Sequence, residues 1–212
     1  MRDAAEWSDR ILGIAYYRRT YPKLLRARQL LRDGVIGQPV YAEINCHSWV
    51  PAQDGFRTWL LDPAMAGGGP LYDIASHRID VLNFLFGAPR RVAGQMSNVV
   101  HQLEVEDSAT LLIEYESGTR GVVDVRWHTR VDRDDFRIIG TDGEMQLSPL
   151  NGPRLAYKGR EEQLPTHKNL HYPCIEDFTT AVLEGKPPAA PIAEAIVTDW
   201  VTEQVMRQNG RG

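Results

Sequence analysis

Between about residue 91 and residue 148 the hydrophobic pattern has a period of two, interrupted only by turn residues. That period is the pleat of a β-strand, so this part of the chain must fold as strands that each bury one face. Residues 91–102, 108–116, 119–129, 135–140 and 144–148 are predicted to be successive antiparallel strands. Ser117-Gly118 and Asp142-Gly143 are the predicted hairpin turns, because tight primed turns need residues that tolerate positive φ. Along one strand Val122, Asp124, Arg126 and His128 alternate with Gly121, Val123, Val125 and Trp127, so one face is mixed and the other mainly apolar.

The elements around this meander have other periods. Pro22 opens a predicted helix, Leu24, Ala27, Leu30 and Leu31 follow at helical spacing, and Gly34 supplies a left-handed stop. Residues 39–50 alternate again. Residues 51–69 read as a long loop ending in Ala66-Gly67-Gly68-Gly69, and loops of that length are often functional. Pro70 then opens a helix over 71–86, closed by Gly87 and Pro89. Two more helices, about 172–183 and 192–208, flank the breaker Gly185-Lys186-Pro187-Pro188. Near the start, residues 11–17 form a continuous apolar run of buried-strand type, preceded only by a short helical stretch over 3–8. The order predicts an α+β fold: an open, mainly antiparallel β-sheet with helices on one face. Its other face is expected to be solvated or paired with another subunit.

Composition narrows the function classes. With 212 residues, 42% of them hydrophobic and a net charge of −4, the chain can bury a real core and has no basic patch for nucleic acid. No apolar stretch has the length of a bilayer span, so no membrane is expected. Cys46 and Cys174 have no metal or redox spacing, and a reducing cytoplasm is the default location.

Few constellations carry chemistry. Asp73 and His77 stand four apart on the helix after the glycines, a spacing that puts both on one face. Beside a substrate, the carboxylate would fix the imidazole tautomer while the ring moves a proton. Spacing alone favours a surface hydrogen bond, with Asp73 also suited to the helix dipole. Gly67, Gly68 and Gly69 let a ligand or another backbone come close, with a polar group favoured at the helix N-terminus. No G-x-G-x-x-G occurs anywhere. His167 and His171 stand four apart with Glu176 and Asp177 downstream, but Pro165 and Pro173 bracket the pair in a loop instead of the helix that a metal site would need, so no metal is expected.

Residues 14–22 (IAYYRRTYP), 31–37 (LRDGVIG), 66–77 (AGGGPLYDIASH) with Ile79 and Asp80, 140–143 (GTDG) and 175–178 (IEDF) occur in one order. In that order they resemble the C-terminal part of the Gfo/Idh/MocA oxidoreductases. The resemblance implies the glyceraldehyde-3-phosphate-dehydrogenase-like C-terminal fold, a domain that binds a sugar or polyol and supplies the contacts of a homodimer or higher homo-oligomer. It implies NAD or NADP on the N-terminal Rossmann domain of a complete member. It places Asp73 and His77 at the substrate, with His77 shuttling the hydroxyl proton as hydride leaves. Tyr17, Arg18 and Arg19 are weaker candidates for the cleft between domains, and Trp49, Arg57 and Trp59 for contact with a sugar, although the last three fit loop packing as well. The sequence contains neither the dinucleotide fingerprint nor the family's Glu-Lys-Pro motif. Residues 1–20 are therefore expected to be the remnant helix and strand of a truncated Rossmann domain, and 21–212 the substrate-binding and oligomerisation domain. No cofactor is expected on this chain, which leaves its status as an enzyme open. The alternative is a stand-alone, non-enzymatic module for carbohydrate binding or assembly.

Overall fold

A computed structural model describes residues 1–50 and 57–210. Residues 51–56, the start of the predicted 51–69 loop, lie outside the described residues. Helix α1 (Arg2–Ser8) has no buried residue. The expected strand over 11–17 is not one. Only Gly13 makes a β-bridge, to Pro191, and the Ile14 N–H donates to Ala190 O at 2.9 Å. With no neighbouring strand there is no ladder to join, so the segment settles on its own chain, where Tyr16 packs with Ala190 and Ala195. A 3-10 turn (Tyr17–Thr20) leads into α2 (Pro22–Arg32), which starts on its proline and buries Leu24, Ala27 and Leu30.

Strand β1 (Pro39–Trp49) lies at the centre of the sheet. After it come a 3-10 turn (Thr58–Leu61), α3 (Pro63–Ala66), a π-helical turn (Leu71–Ala75) and α4 (Ser76–Phe86). The meander follows as β2 (Pro89–Ser97), β3 (Ser108–Tyr115), β4 (Arg120–Arg126), β5 (His128–Gly140) and β6 (Gly143–Gln146). Two further strands, β7 (Arg154–Tyr157) and β8 (Arg160–Gln163), and helices α5 (Tyr172–Glu184) and α6 (Ile192–Gln208) complete the order.

All eight strands form one open sheet in the order β2-β3-β4-β1-β5-β6-β7-β8. Every neighbouring pair is antiparallel except β1–β4, where Ala42 faces Gly121 and Ile44 faces Val123 in parallel register. The α+β expectation of a mainly antiparallel, open sheet therefore holds. One face is apolar: Ala42, Ile44, Leu111, Ile113, Val123, Val125, Phe136 and Ile138 join a core with Leu24, Ile79 and Leu82 from the helices. Each large aliphatic side chain buried there contributes about 1.5–3 kcal/mol. Small residues let the helices seat closely. A Cβ on Gly121 would lie 3.0 Å from Leu82, and one on Gly94 would lie 2.8 Å from Val205 of α6. Among the described residues no helix is long and apolar enough to cross a membrane.

Candidate functional site

The entry to α4 is shaped by a carboxylate from elsewhere in the chain. Glu106, which is buried, accepts the Leu71 N–H at 3.0 Å. A Cβ on Gly69 would stand 2.0 Å from the Glu106 carbonyl oxygen, and one on Gly68 would stand 3.2 Å from its carboxylate. The glycines thus admit another stretch of backbone and its acidic side chain. The polar group favoured at this helix start is supplied internally. A pyrophosphate does not fit here, since it would meet the Glu106 carboxylate, so these glycines are not a dinucleotide cradle.

The predicted single helix over 71–86 is divided. Its first turn is π-helical, with the Tyr72 and Asp73 N–H groups both bonding Gly69 O and the Ser76 N–H reaching back to Leu71 O. The Ser76 hydroxyl donates to Tyr72 O at 2.6 Å, a side-chain bond that competes with the regular α ladder. Such turns are rare inside helices and frequent at functional sites. Asp73 lies in the π turn and His77 in α4, and no hydrogen bond joins them among the described residues. Burial pushes the Asp73 carboxyl up, with Arg57 and Arg78 opposing.

His77 is half-buried in an aromatic and cationic setting. Its ring lies edge-on to Tyr16 at 5.6 Å between centroids and tilted against Tyr17 at 5.3 Å. Tyr17 in turn meets His171 at 4.5 Å and the Arg18 guanidinium at 4.6 Å. Burial, reinforced by the charges of Arg18, Arg78 and His171, pushes the His77 imidazole down to about 4. A ring that is neutral at pH 7 can take a proton from a hydroxyl or donate its own N–H to one.

The structure brings Tyr17, Arg18 and His77 together, with Asp73 and Arg57 coupled to each other by charge nearby. Arg19 goes elsewhere. It is 2% exposed, makes three hydrogen bonds of 2.7–3.1 Å to Asp80 and also bonds Glu194, so its guanidinium is committed to the fold. Trp49 packs against His101 at 4.8 Å and under Arg130 at 4.1 Å, and Trp59 stands 48% exposed on its short 3-10 turn. Sequence reasoning missed Arg78, Cys46, Asp134 and Asn151, and read His171 as loop. Cys46 projects from β1 among the charges of Arg78, Asp134, Arg18 and Asp73, which share the work of setting its thiol after burial has raised it. Arg78 had a signal, being next to His77; Asp134 and Asn151 come from β5 and the β6–β7 connection and had none. Among the described residues no group of three His, Cys, Asp or Glu side chains is placed to hold a metal.

An open, mainly antiparallel eight-stranded sheet with helices packed on its apolar face, and a half-buried histidine beside a π turn, define an open-sheet α+β domain. The chain belongs to the GFO/IDH/MocA family: the model of its C-terminal domain matches residues 24–146, more than half of the sequence. A D-apiose dehydrogenase from Paraburkholderia graminis is 31% identical over 137 residues, 61% of this chain and 35% of that protein. The rhizopine catabolism protein MocA of Rhizobium meliloti is 26% identical over 215 residues, 95% of this chain and 62% of its own length. The crystal structure of aldose-aldose oxidoreductase from Caulobacter crescentus, complexed with glycerol, has the same fold, with a TM-score of 0.85 at 24% identity. That match covers 99% of this chain and 65% of the other. This chain therefore spans between about a third and two thirds of the length of these relatives.

Proposed function

We propose that this chain is the substrate-binding and oligomerisation domain of an oxidoreductase acting on a sugar or polyol, and that His77 handles the proton of the reacting hydroxyl. The observation that carries this is the state of His77: half-buried, ringed by Tyr16, Tyr17 and His171, and held neutral by burial and two arginines. A neutral imidazole accepts the hydroxyl proton in oxidation and, once charged, returns it in reduction. Asp73 sits one π turn earlier, where its carboxylate can accept a second substrate hydroxyl; it orients substrate instead of the ring. Tyr17 supplies an aromatic wall. Two of the relatives named above are, by their names, a D-apiose dehydrogenase and an aldose-aldose oxidoreductase, which supports the substrate class. A structure of the same fold from Agrobacterium radiobacter is in complex with NAD+, L-tartaric acid and magnesium, and a D-xylose 1-dehydrogenase (NADP+) from Haloarcula marismortui is 26% identical over 160 residues. A nicotinamide cofactor is therefore proposed for the complete enzyme. The glycines before α4 do not fit one, because Glu106 fills the space in front of them. Residues 1–20 are read as the junction to a cofactor domain and 21–212 as the substrate domain. The two unpaired cysteines fit a cytoplasmic setting.

The test is a titration of the chain with glycerol, D-xylose and myo-inositol, followed by the NMR signals of the His77 ring. Saturable shifts of His77 that vanish in His77→Asn, while the fold is unchanged, are the expected result. Unmoved His77 signals up to the highest concentrations, across the panel, would overturn the reading.

A further inference from the structure

Around His77 the chain buries more positive than negative charge. Arg18 is 4% exposed, and its Nε donates to a neutral acceptor, Asn151 Oδ1, at 2.9 Å. Its Nη1 is buried with no hydrogen-bond partner among the described residues. Arg78 is 6% exposed and reaches Asp134 only through Nη2, at 3.4 Å, while its Nε is also buried and unpartnered. Asp134 is not free to do more, since its other oxygen accepts the Leu150 N–H at 2.9 Å. The remaining nearby carboxylate, Asp73, feels Arg57 as well as Arg78. Lys23 adds a further cation, its Nζ held by the carbonyls of Leu147 and Pro149.

Arg19 shows how this chain satisfies a guanidinium that serves the fold alone, with three short bonds to Asp80 and another to Glu194. One residue earlier, Arg18 has no carboxylate at all. Buried charged donors without partners are costly, and they persist where a ligand supplies what the protein omits. Burial and the neighbouring Arg78 charge both lower the Arg18 pKa, the mark of like charges held together.

We infer that the substrate of this site is an acid: a polyol or sugar whose carboxylate sits beside Arg18 and Arg78 while one of its hydroxyls faces His77. The inference rests on the reading of His77 as the substrate site and adds the charge of what binds there. Arg18 and Arg78 have one carboxylate bond between them, that of Arg78 to Asp134, so one guanidinium is left without a carboxylate partner. A single carboxylate matches that count. A phosphate ester, which carries up to two negative charges at neutral pH, is the rival anion that inorganic phosphate tests below.

The experiment pairs each acid with its neutral counterpart on the unmodified chain at low ionic strength: gluconate with sorbitol, glucuronate with glucose, galactonate with galactitol. Inorganic phosphate is the anion-only control, and His77 ring shifts are the readout. We expect the acid of at least one pair to bind roughly tenfold tighter or more than its neutral partner, the scale of one charge-assisted hydrogen bond. The gap is expected to narrow with added salt and to shrink in Arg18→Gln and Arg78→Gln. Neutral members binding as tightly as the acids would overturn the inference and leave the sugar or polyol reading standing. So would phosphate binding more tightly than any acid, which would point to phosphate esters. His77 signals unmoved by every compound would overturn both. The comparison of ligands on the unmodified chain decides the matter even where a variant fails to fold.

Discussion

His77 has a titration that can be followed alone, and its sign is fixed by its surroundings. In an unfolded chain a histidine titrates near 6.5. Here burial, then Arg18, Arg78 and His171, push it down to about 4. Between those values the unfolded chain takes up a proton that the folded chain refuses, so stability falls as pH drops from about 6.5 to 4, and this residue costs nothing further below that. His77→Asn is expected to remove its share of that slope, measured as the difference in urea unfolding between pH 7 and pH 5 for the two proteins. The ring signal itself should have its midpoint near 4; a midpoint at 6 or above would contradict the environment described. At this scale the sequence was partly legible. Asp73 and His77 stood out by type and spacing, yet the π turn that changes their relation could not be read, because a one-residue widening leaves the apolar pattern intact. Glu106 was equally hidden: nothing in the glycine run says that its filler lies thirty-odd residues downstream.

The elements are pinned together by a small number of polar contacts. Arg19, in the 3-10 turn after the N-terminal segment, reaches Asp80 on α4 and Glu194 on α6, so a single guanidinium joins three elements. Its two partners are not equivalent. The Asp80 side chain is 1% exposed and the Glu194 side chain 63%. Removing the buried partner strands a charge away from water, which costs about 3–5 kcal/mol, whereas an exposed pair is worth about 0–1 kcal/mol. Asp80→Asn should therefore lower the denaturation midpoint strongly and Glu194→Gln barely, and equal effects would show that the pair is not the pin. Strands β1 and β3 were legible because eight or more alternating residues leave little doubt about the period, whereas β5 (His128–Gly140) was expected only over 135–140, with 128 and 129 given to the strand before it. Strands β7 and β8 were not, at four residues each with Lys158 and Gly159 between them. Strand β2 stops at Ser97 instead of running to residue 102, because the buried Asp107 carboxylate draws off the N–H groups of Val99, Val100 and His101. Such a capture depends on tertiary proximity, which periodicity does not encode.

At the scale of the molecule the described helices join the apolar face of the sheet, and the chemistry of the other face sets how copies would associate there. Residues 11–17 are not the place for it, since only Gly13 makes a β-bridge there and Tyr16 is 8% exposed and held by its own chain. What remains is the open face. Across β1, β3 and β4 it carries His47, Thr110, Asp124 and Arg126, with Asp124 accepting from His47 at 2.6 Å, from Thr110 and from Arg126 at 2.9 Å. Further along, Arg133 pairs with Asp135 at 2.8 Å and Arg137 with Glu144. Leu112 and Val131 add apolar surface at 46% and 69% exposure. A face of paired charges around a few apolar residues does not drive association as an apolar core does; its contribution lies in orientation and in matched charge, which salt weakens. We therefore predict a homodimer or higher closed oligomer through this face whose dissociation constant rises with ionic strength. Asp124→Lys should separate the copies, because it reverses the charge on which His47, Thr110 and Arg126 converge and sets a second cation beside Arg126. Sedimentation velocity at low and high salt checks both points. A monomer at high micromolar concentration in low salt would sink the prediction, and an oligomer indifferent both to salt and to Asp124→Lys would move the interface off the sheet.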